Sequence, residues 1–128
     1  MAHHAGMKAS HRTPGARLRI VFEPDIAIGP GKADLLQSIA ETGSITAAGR
    51  RMAMSYRRAW LLVDTMNRCF RSPLVATAKG GTGGGGGARL TPLGQEVLER
   101  YRRMERLTAG AIEPEMAALR EVLAPRRN

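Results

Sequence analysis

The chain is poor in the residues from which most catalytic and metal sites are built. Of its 128 residues only one is cysteine, Cys69, and three are histidine. A single thiol excludes an internal disulfide and a multi-cysteine zinc site. Cys69 falls beside an apolar stripe, which reads as a packed thiol rather than a reactive one. The histidines, His3, His4 and His11, all lie in residues 1–16, a small, polar, basic stretch whose composition reads as a disordered tail. Such a tail organises no metal site, and no metal ligand or cofactor is assigned. An inert tail or a loose arm that touches phosphates are its two readings. No apolar run approaches the roughly 20 residues that span a bilayer. The N-terminus also lacks the apolar core of a signal peptide, so the expected setting is cytoplasmic. There is no Ser/His/Asp arrangement. Asp64 with Arg68 and Glu99 with Arg103 are helix-surface pairs four residues apart. An enzyme is not expected.

Acidic residues are scarce too: 11 Asp and Glu stand against 20 Lys and Arg, a net charge of +9. That excess is local. Residues 50–79 hold seven basic residues and one acid, whereas 24–49 are net negative. Concentrated positive charge predicts a polyanion partner. The length suits one domain with a modest core.

The basic segment has a readable architecture. Ser44, after Gly43, caps a short helix running to about Arg51, with Ile45 and Ala48 inward. Met52, Ala53 and Met54 make a turn, and Ser55 caps a second helix. Ala59, Val63, Met66 and Phe70 then form one apolar stripe. Arg57, Leu61, Asp64 and Arg68 fall opposite it at about 100° per residue. A helix packed on one side, with arginines on its free first turn, is suited to the major groove. An ordinary core helix with a solvated face is the alternative.

Around this pair, Arg17–Phe22 reads as a strand, and Ile26–Ile28 as its antiparallel partner after Glu23-Pro24-Asp25. Pro30 and Gly31 open a helix whose stripe is Leu35, Leu36, Ile39 and Ala40, with Gly43 as a left-handed stop. After Ser72-Pro73, Leu74–Ala78 and Ala88–Leu90 read as strands joined by a glycine-rich tip: a hairpin "wing", or else a plain flexible loop. The tip contains a formal GxGxxG at Gly81, Gly83 and Gly86. No helix follows it directly, so the nucleotide-binding fingerprint fails. Thr91 and Pro92 start a further helix. Leu93, Val97, Tyr101, Met104 and Ala111 form its seam, with Pro114 expected to break or kink it. Met116, Leu119, Val122 and Leu123 mark another stripe beyond. This apolar surface suggests a homodimer, or segments folded back on their own subunit.

At this point several motifs resemble the N-terminal DNA-binding domain of the molybdate-responsive regulators (ModE). They are Gly31-Lys32-Ala33-Asp34-Leu35-Leu36, Thr42-Gly43-Ser44-Ile45 and Ser55-Tyr56-Arg57-Arg58-Ala59-Trp60. Met66-Asn67, the Gly80–Gly87 run and Leu90-Thr91-Pro92-Leu93-Gly94-Gln95 follow in order, so the likeness covers about residues 17–105. The resemblance implies a LysR-like winged helix-turn-helix, mainly α with small β, binding a palindromic operator in double-stranded DNA as a dimer. Full-length members carry a molybdate-binding module after the dimer helix. This chain ends at Asn128, so no direct molybdate site is expected within it.

The resulting organisation is a tail at 1–16, the DNA-binding domain at 17–91, dimerisation helices at 92–124 and a tail at 125–128. Ser55, Tyr56, Arg57 and Arg58 are the expected base readers. Ser44, Thr46, Arg50, Arg51, Lys79, Thr82 and Arg89 are the expected phosphate contacts. Trp60 is expected to be a packed or boundary residue. A small protein-interaction adaptor and a nucleoid-type binder without a preferred site are the rival functions.

Overall fold

The structure, a computed structural model, describes residues 14–78 and 87–126. The histidine tail and the glycine-rich tip with Lys79 and Thr82 lie outside them. Two strands, β1 (Ile20–Glu23) and β2 (Ile26–Ile28), precede three helices: α1 (Pro30–Thr42), α2 (Ile45–Arg51) and α3 (Tyr56–Cys69). A second strand pair, β3 (Val75–Thr77) and β4 (Ala88–Leu90), leads into the long α4 (Pro92–Glu121).

Local chemistry sets most boundaries. Pro30 sits in the first turn of α1, where no N–H is required. Gly43 ends that helix at φ 73°, its N–H donating to the Ile39 carbonyl. The Gly43 carbonyl then accepts from the Ala88 N–H at 2.9 Å, which ties the end of α1 to β4. Strand pairing is antiparallel in both sheets, with Ile20 opposite Ile28 and Val75 opposite Leu90.

Leu35, Leu36 and Ile39 of α1 meet Ala48 of α2, Ala59, Val63 and Met66 of α3, Leu74 just before β3, and Val75 and Leu90 of the second strand pair. This is the main core. A smaller cluster joins Ile28, Ala33 and Tyr101, so the first strand pair is sealed by α1 and α4.

Three expectations need correction. The first strand starts at Ile20, not Arg17; the Leu18 carbonyl instead accepts from the Tyr101 hydroxyl at 2.5 Å. Ala40 is exposed, and the buried face of α1 runs through Ala33 and Ser38 instead. Pro114 does not break the last helix, which is continuous for 30 residues, about 45 Å at 1.5 Å per residue. The ring faces the carbonyl of Gly110, and both residues are exposed, so water can satisfy the carbonyl that proline leaves without a donor.

Candidate nucleic-acid interface

The α2–turn–α3 unit is held by short contacts. Ser44 accepts from the Ala47 N–H at 3.0 Å, and Ser55 accepts from the Arg58 N–H at 3.1 Å. Each hydroxyl satisfies a helix-start donor. Between them Ala53 adopts φ 58°, and the Met54 N–H returns to the Gly49 carbonyl. Gly49 is where the helices cross: a β-carbon there would stand 3.0 Å from Ala59 Cβ. Small residues on both sides thus fix the angle between α2 and α3.

Asn67 anchors the far end of α3. Its side-chain oxygen accepts from the N–H groups of Leu74 and Val75 at 2.9 and 3.0 Å, and its amide donates to the Val75 carbonyl. One side chain therefore satisfies the edge of β3 and holds that strand beside α3. Nothing local in the sequence announces this role; only its place within the family-like motifs drew notice.

With Ala59, Val63 and Met66 buried, α3 turns Arg57, Leu61, Asp64 and Arg68 outward. Phe70, the last member of the expected stripe, is half-buried at the helix end. Ser55, Tyr56, Arg57 and Arg58 are all exposed, and the two arginines make no ion pair among the described residues. Tyr56 and Trp60 meet edge to face with ring centroids 6.2 Å apart. Trp60 is 37% exposed, a boundary residue. Asp64 and Arg68 pair with each other at 3.2 Å.

The expected phosphate contacts divide. Thr46, Arg50 and Arg89 are exposed, and neither arginine forms an ion pair among the described residues. Ser44 uses its hydroxyl as a cap, and Arg51 is engaged by Glu41 at 2.6 Å. An exposed pair of this kind contributes less than about 1 kcal/mol, so it holds the Arg51 guanidinium only weakly. Lys79 and Thr82 fall outside the described residues. Cys69 is a free, half-buried thiol.

Comparison with known proteins gives the framework a relationship, although no family model matches the chain. The DNA-binding transcriptional dual regulator ModE of Escherichia coli K12 is 32% identical over 96 residues, 75% of this chain and 36% of its own length. The molybdenum transport protein ModE of Azotobacter vinelandii is 34% identical over 107 residues, 84% of this chain and 39% of its own length. The chain is a relative of the ModE proteins. The molybdenum-pterin-binding protein MopB of Rhodobacter capsulatus is 41% identical over 92 residues, covering 72% of this chain and 31% of that protein. This chain thus spans about a third of the length of the ModE and Mop relatives it matches. None of them is named for a catalysed reaction. Among the described residues no helix is long and apolar enough to cross a membrane.

Within this ModE-related chain the seam of α4 is largely occupied by its own subunit. Leu93 and Val97 pack on the main core, and Met104 on the smaller cluster. Tyr101 is wholly buried within the chain itself, which corrects its reading as an interface residue. Ala111 is exposed, as are Leu107, Leu119, Val122 and Leu123 further along the helix.

Burial, reinforced by Glu105 and by Asp34 against the opposing pull of Arg102, pushes the Tyr101 phenol from 10.0 up to about 12. A raised phenol pKa means that the folded chain holds this proton more tightly than the unfolded one. Its stabilising contribution is whole below pH 10 and is lost as pH climbs from there toward about 12. Tyr101→Phe should therefore be less stable at neutral pH by about 1 kcal/mol, for the lost hydrogen bond. Its stability should also fall less steeply above pH 10 in denaturant titrations; parallel alkaline slopes would assign the loss to other groups.

Proposed function

We propose that this chain is the DNA-binding part of a ModE-type transcriptional regulator, a winged helix-turn-helix that reads an operator as a homodimer. The observation that carries this reading is the first turn of α3, where Arg57 and Arg58 are exposed and form no ion pair among the described residues, while the other side of the helix is core. In the proposed complex, α3 enters the major groove by that turn. Ser55, Tyr56, Arg57 and Arg58 contact base edges. Thr46, Arg50 and Arg89, with Ser44 and Arg51 in lesser parts, hold phosphates and fix register without reading sequence. Lys79 and Thr82 at the hairpin tip are given the same role from the sequence alone. The E. coli relative's designation as a DNA-binding transcriptional regulator supports this reading over an adaptor.

Dimerisation is assigned to the distal half of α4, with Leu107, Ala111 and Leu119 on the shared surface. The charge pattern favours an antiparallel pair. Arg103 and Arg106 precede Glu113 and Glu115 along the helix, so two copies running in opposite directions set bases against acids. Such a dimer presents two α3 helices to half-sites about 34–36 Å apart, one turn of DNA.

Arg57→Ala tests the central contact. Affinity for a site selected from random duplex should fall about 30-fold or more, since each arginine–guanine pair is worth about 1–3 kcal/mol and the dimer makes two. Affinity for random duplex at the same salt should change little. An equal loss on both would make Arg57 a phosphate contact.

A further inference from the structure

The outer face of α3 carries more apolar surface than a solvated helix needs. Leu61 is 55% exposed and lies directly opposite the Ala59–Val63–Met66 stripe. Trp60 is partly exposed beside it, and Tyr56 is 61% exposed on the preceding turn. Single exposed apolar residues are commonplace. Here Leu61 shares its outward face with Arg57, Asp64 and Arg68, and the Tyr56–Trp60 ring pair borders that face.

The charges around this strip identify what covers it. Arg57 and Arg58 precede it and form no ion pair among the described residues, Arg50 is exposed on α2, and Asp64 is paired with Arg68. An apolar strip set among cations suits a polyanion with an apolar feature of its own. In the major groove the one such feature is the 5-methyl group of thymine.

We propose that Leu61, flanked by Trp60, reads thymine 5-methyl groups in each half-site, giving this protein an apolar element of specificity beside its arginine contacts. The inference rests on the DNA-reading function proposed above and names what that surface recognises. The Tyr56 edge rests against the Trp60 indole, a contact that lowers the side-chain entropy left to be lost on docking. Leu61 takes no part in the buried core, so substitutions there leave the fold intact.

The test uses the full chain in two stages. Sites are first selected from random duplex, and each thymine of a selected site is then replaced singly by deoxyuridine. That replacement removes only the methyl group and leaves base pairing and the groove's donors and acceptors unchanged. Wild-type protein should lose about fourfold in affinity at one or more thymines of each half-site, the factor corresponding to burial of one methyl-sized group. Leu61→Ala should bind the thymine and deoxyuridine duplexes alike there, while keeping its preference for guanine positions. Leu61→Met, which retains apolar reach, should keep the thymine sensitivity. If a preferred site emerges but no thymine in it responds to deoxyuridine, the inference is overturned and the DNA-reading function stands. The inference also fails if Leu61→Ala weakens all duplexes by one factor, or if it leaves DNA binding wholly unchanged, which would free the strip for a protein partner. Failure to select any sequence removes the underlying function together with the inference.

Discussion

Arg102→Met should lower the unfolding free energy by about 3–5 kcal/mol, the usual cost of removing one member of a buried ion pair. Arg102 is the clasp between α4 and α1. Its guanidinium donates to Asp34 at 2.7 Å, to Gln37 at 2.7 and 2.9 Å, and to Glu105 at 3.0 Å. The side chains of Arg102 and Asp34 are 20% and 3% exposed, so neither keeps much hydration in exchange. Burial by itself would lower the guanidinium pKa. The hydrogen bonds to Asp34 and Glu105, with the attraction of both carboxylates, outweigh it and leave the pKa raised. Methionine preserves most of the stem's packing but leaves the Asp34 carboxylate buried without the cation that faces it. Adding Asp34→Asn should therefore recover part of the loss. Denaturant titration of the single and double variants checks both statements; additive losses would mean that the two groups do not interact. The clasp also matters for the proposed function, because it fixes where α4 leaves the body formed by α1, α2 and α3.

Gly94→Ala should cost about 3 kcal/mol, the upper range for forcing extra volume into a packed site. A β-carbon at position 94 would stand 2.1 Å from the Leu74 carbonyl oxygen. That oxygen cannot retreat, because it accepts from the Thr91 N–H at 2.9 Å and the Thr91 hydroxyl at 3.3 Å. Thr91 in turn caps α4 through the Gly94 N–H at 2.9 Å. The start of α4 is thus pressed onto the strand leading into the hairpin, and only glycine allows that approach. Gly110→Ala is the matched control. It lies in the same helix with nothing within 4 Å of its would-be β-carbon, so it should stabilise by about 0.5–1 kcal/mol. Thermal melts showing both substitutions with the same sign would contradict this picture of the α4 junction.

These two residues also mark where the sequence stopped being legible. Features set by neighbouring residues can be read directly: the caps at Ser44, Ser55 and Thr91, the left-handed Gly43 and the buried stripe of α3 all follow from local chemistry. Arg102 and Asp34 are 68 positions apart, and no local pattern reveals that they meet. Asn67 bridges a helix to a strand in the same hidden way. Periodicity showed that one side of α4 is apolar, yet it cannot say whether that side meets its own subunit or a second one. Spacing alone therefore sets Tyr101 on the interface seam, although it is buried. Pro114 leaves the helix unbroken because the carbonyl it frees is exposed to water, a condition that the rule against proline inside helices does not weigh. In the candidate interface, the exposure of Arg57 and Arg58 was anticipated from helix geometry, whereas the engagement of Arg51 by Glu41 depends on how α1 and α2 cross.

The central claim is that the first turn of α3 reads bases. The most direct measurement is the affinity ratio of the full chain for its selected duplex over a scrambled duplex of equal length, at one fixed salt concentration near physiological. Sequence-reading proteins bind their sites about 10³-fold or more above non-specific DNA, and a ratio on that scale is expected here, collapsing in the Arg57→Ala, Arg58→Ala double variant. A ratio near one, with tight binding to both duplexes, would contradict it and leave a basic protein that holds DNA without reading it.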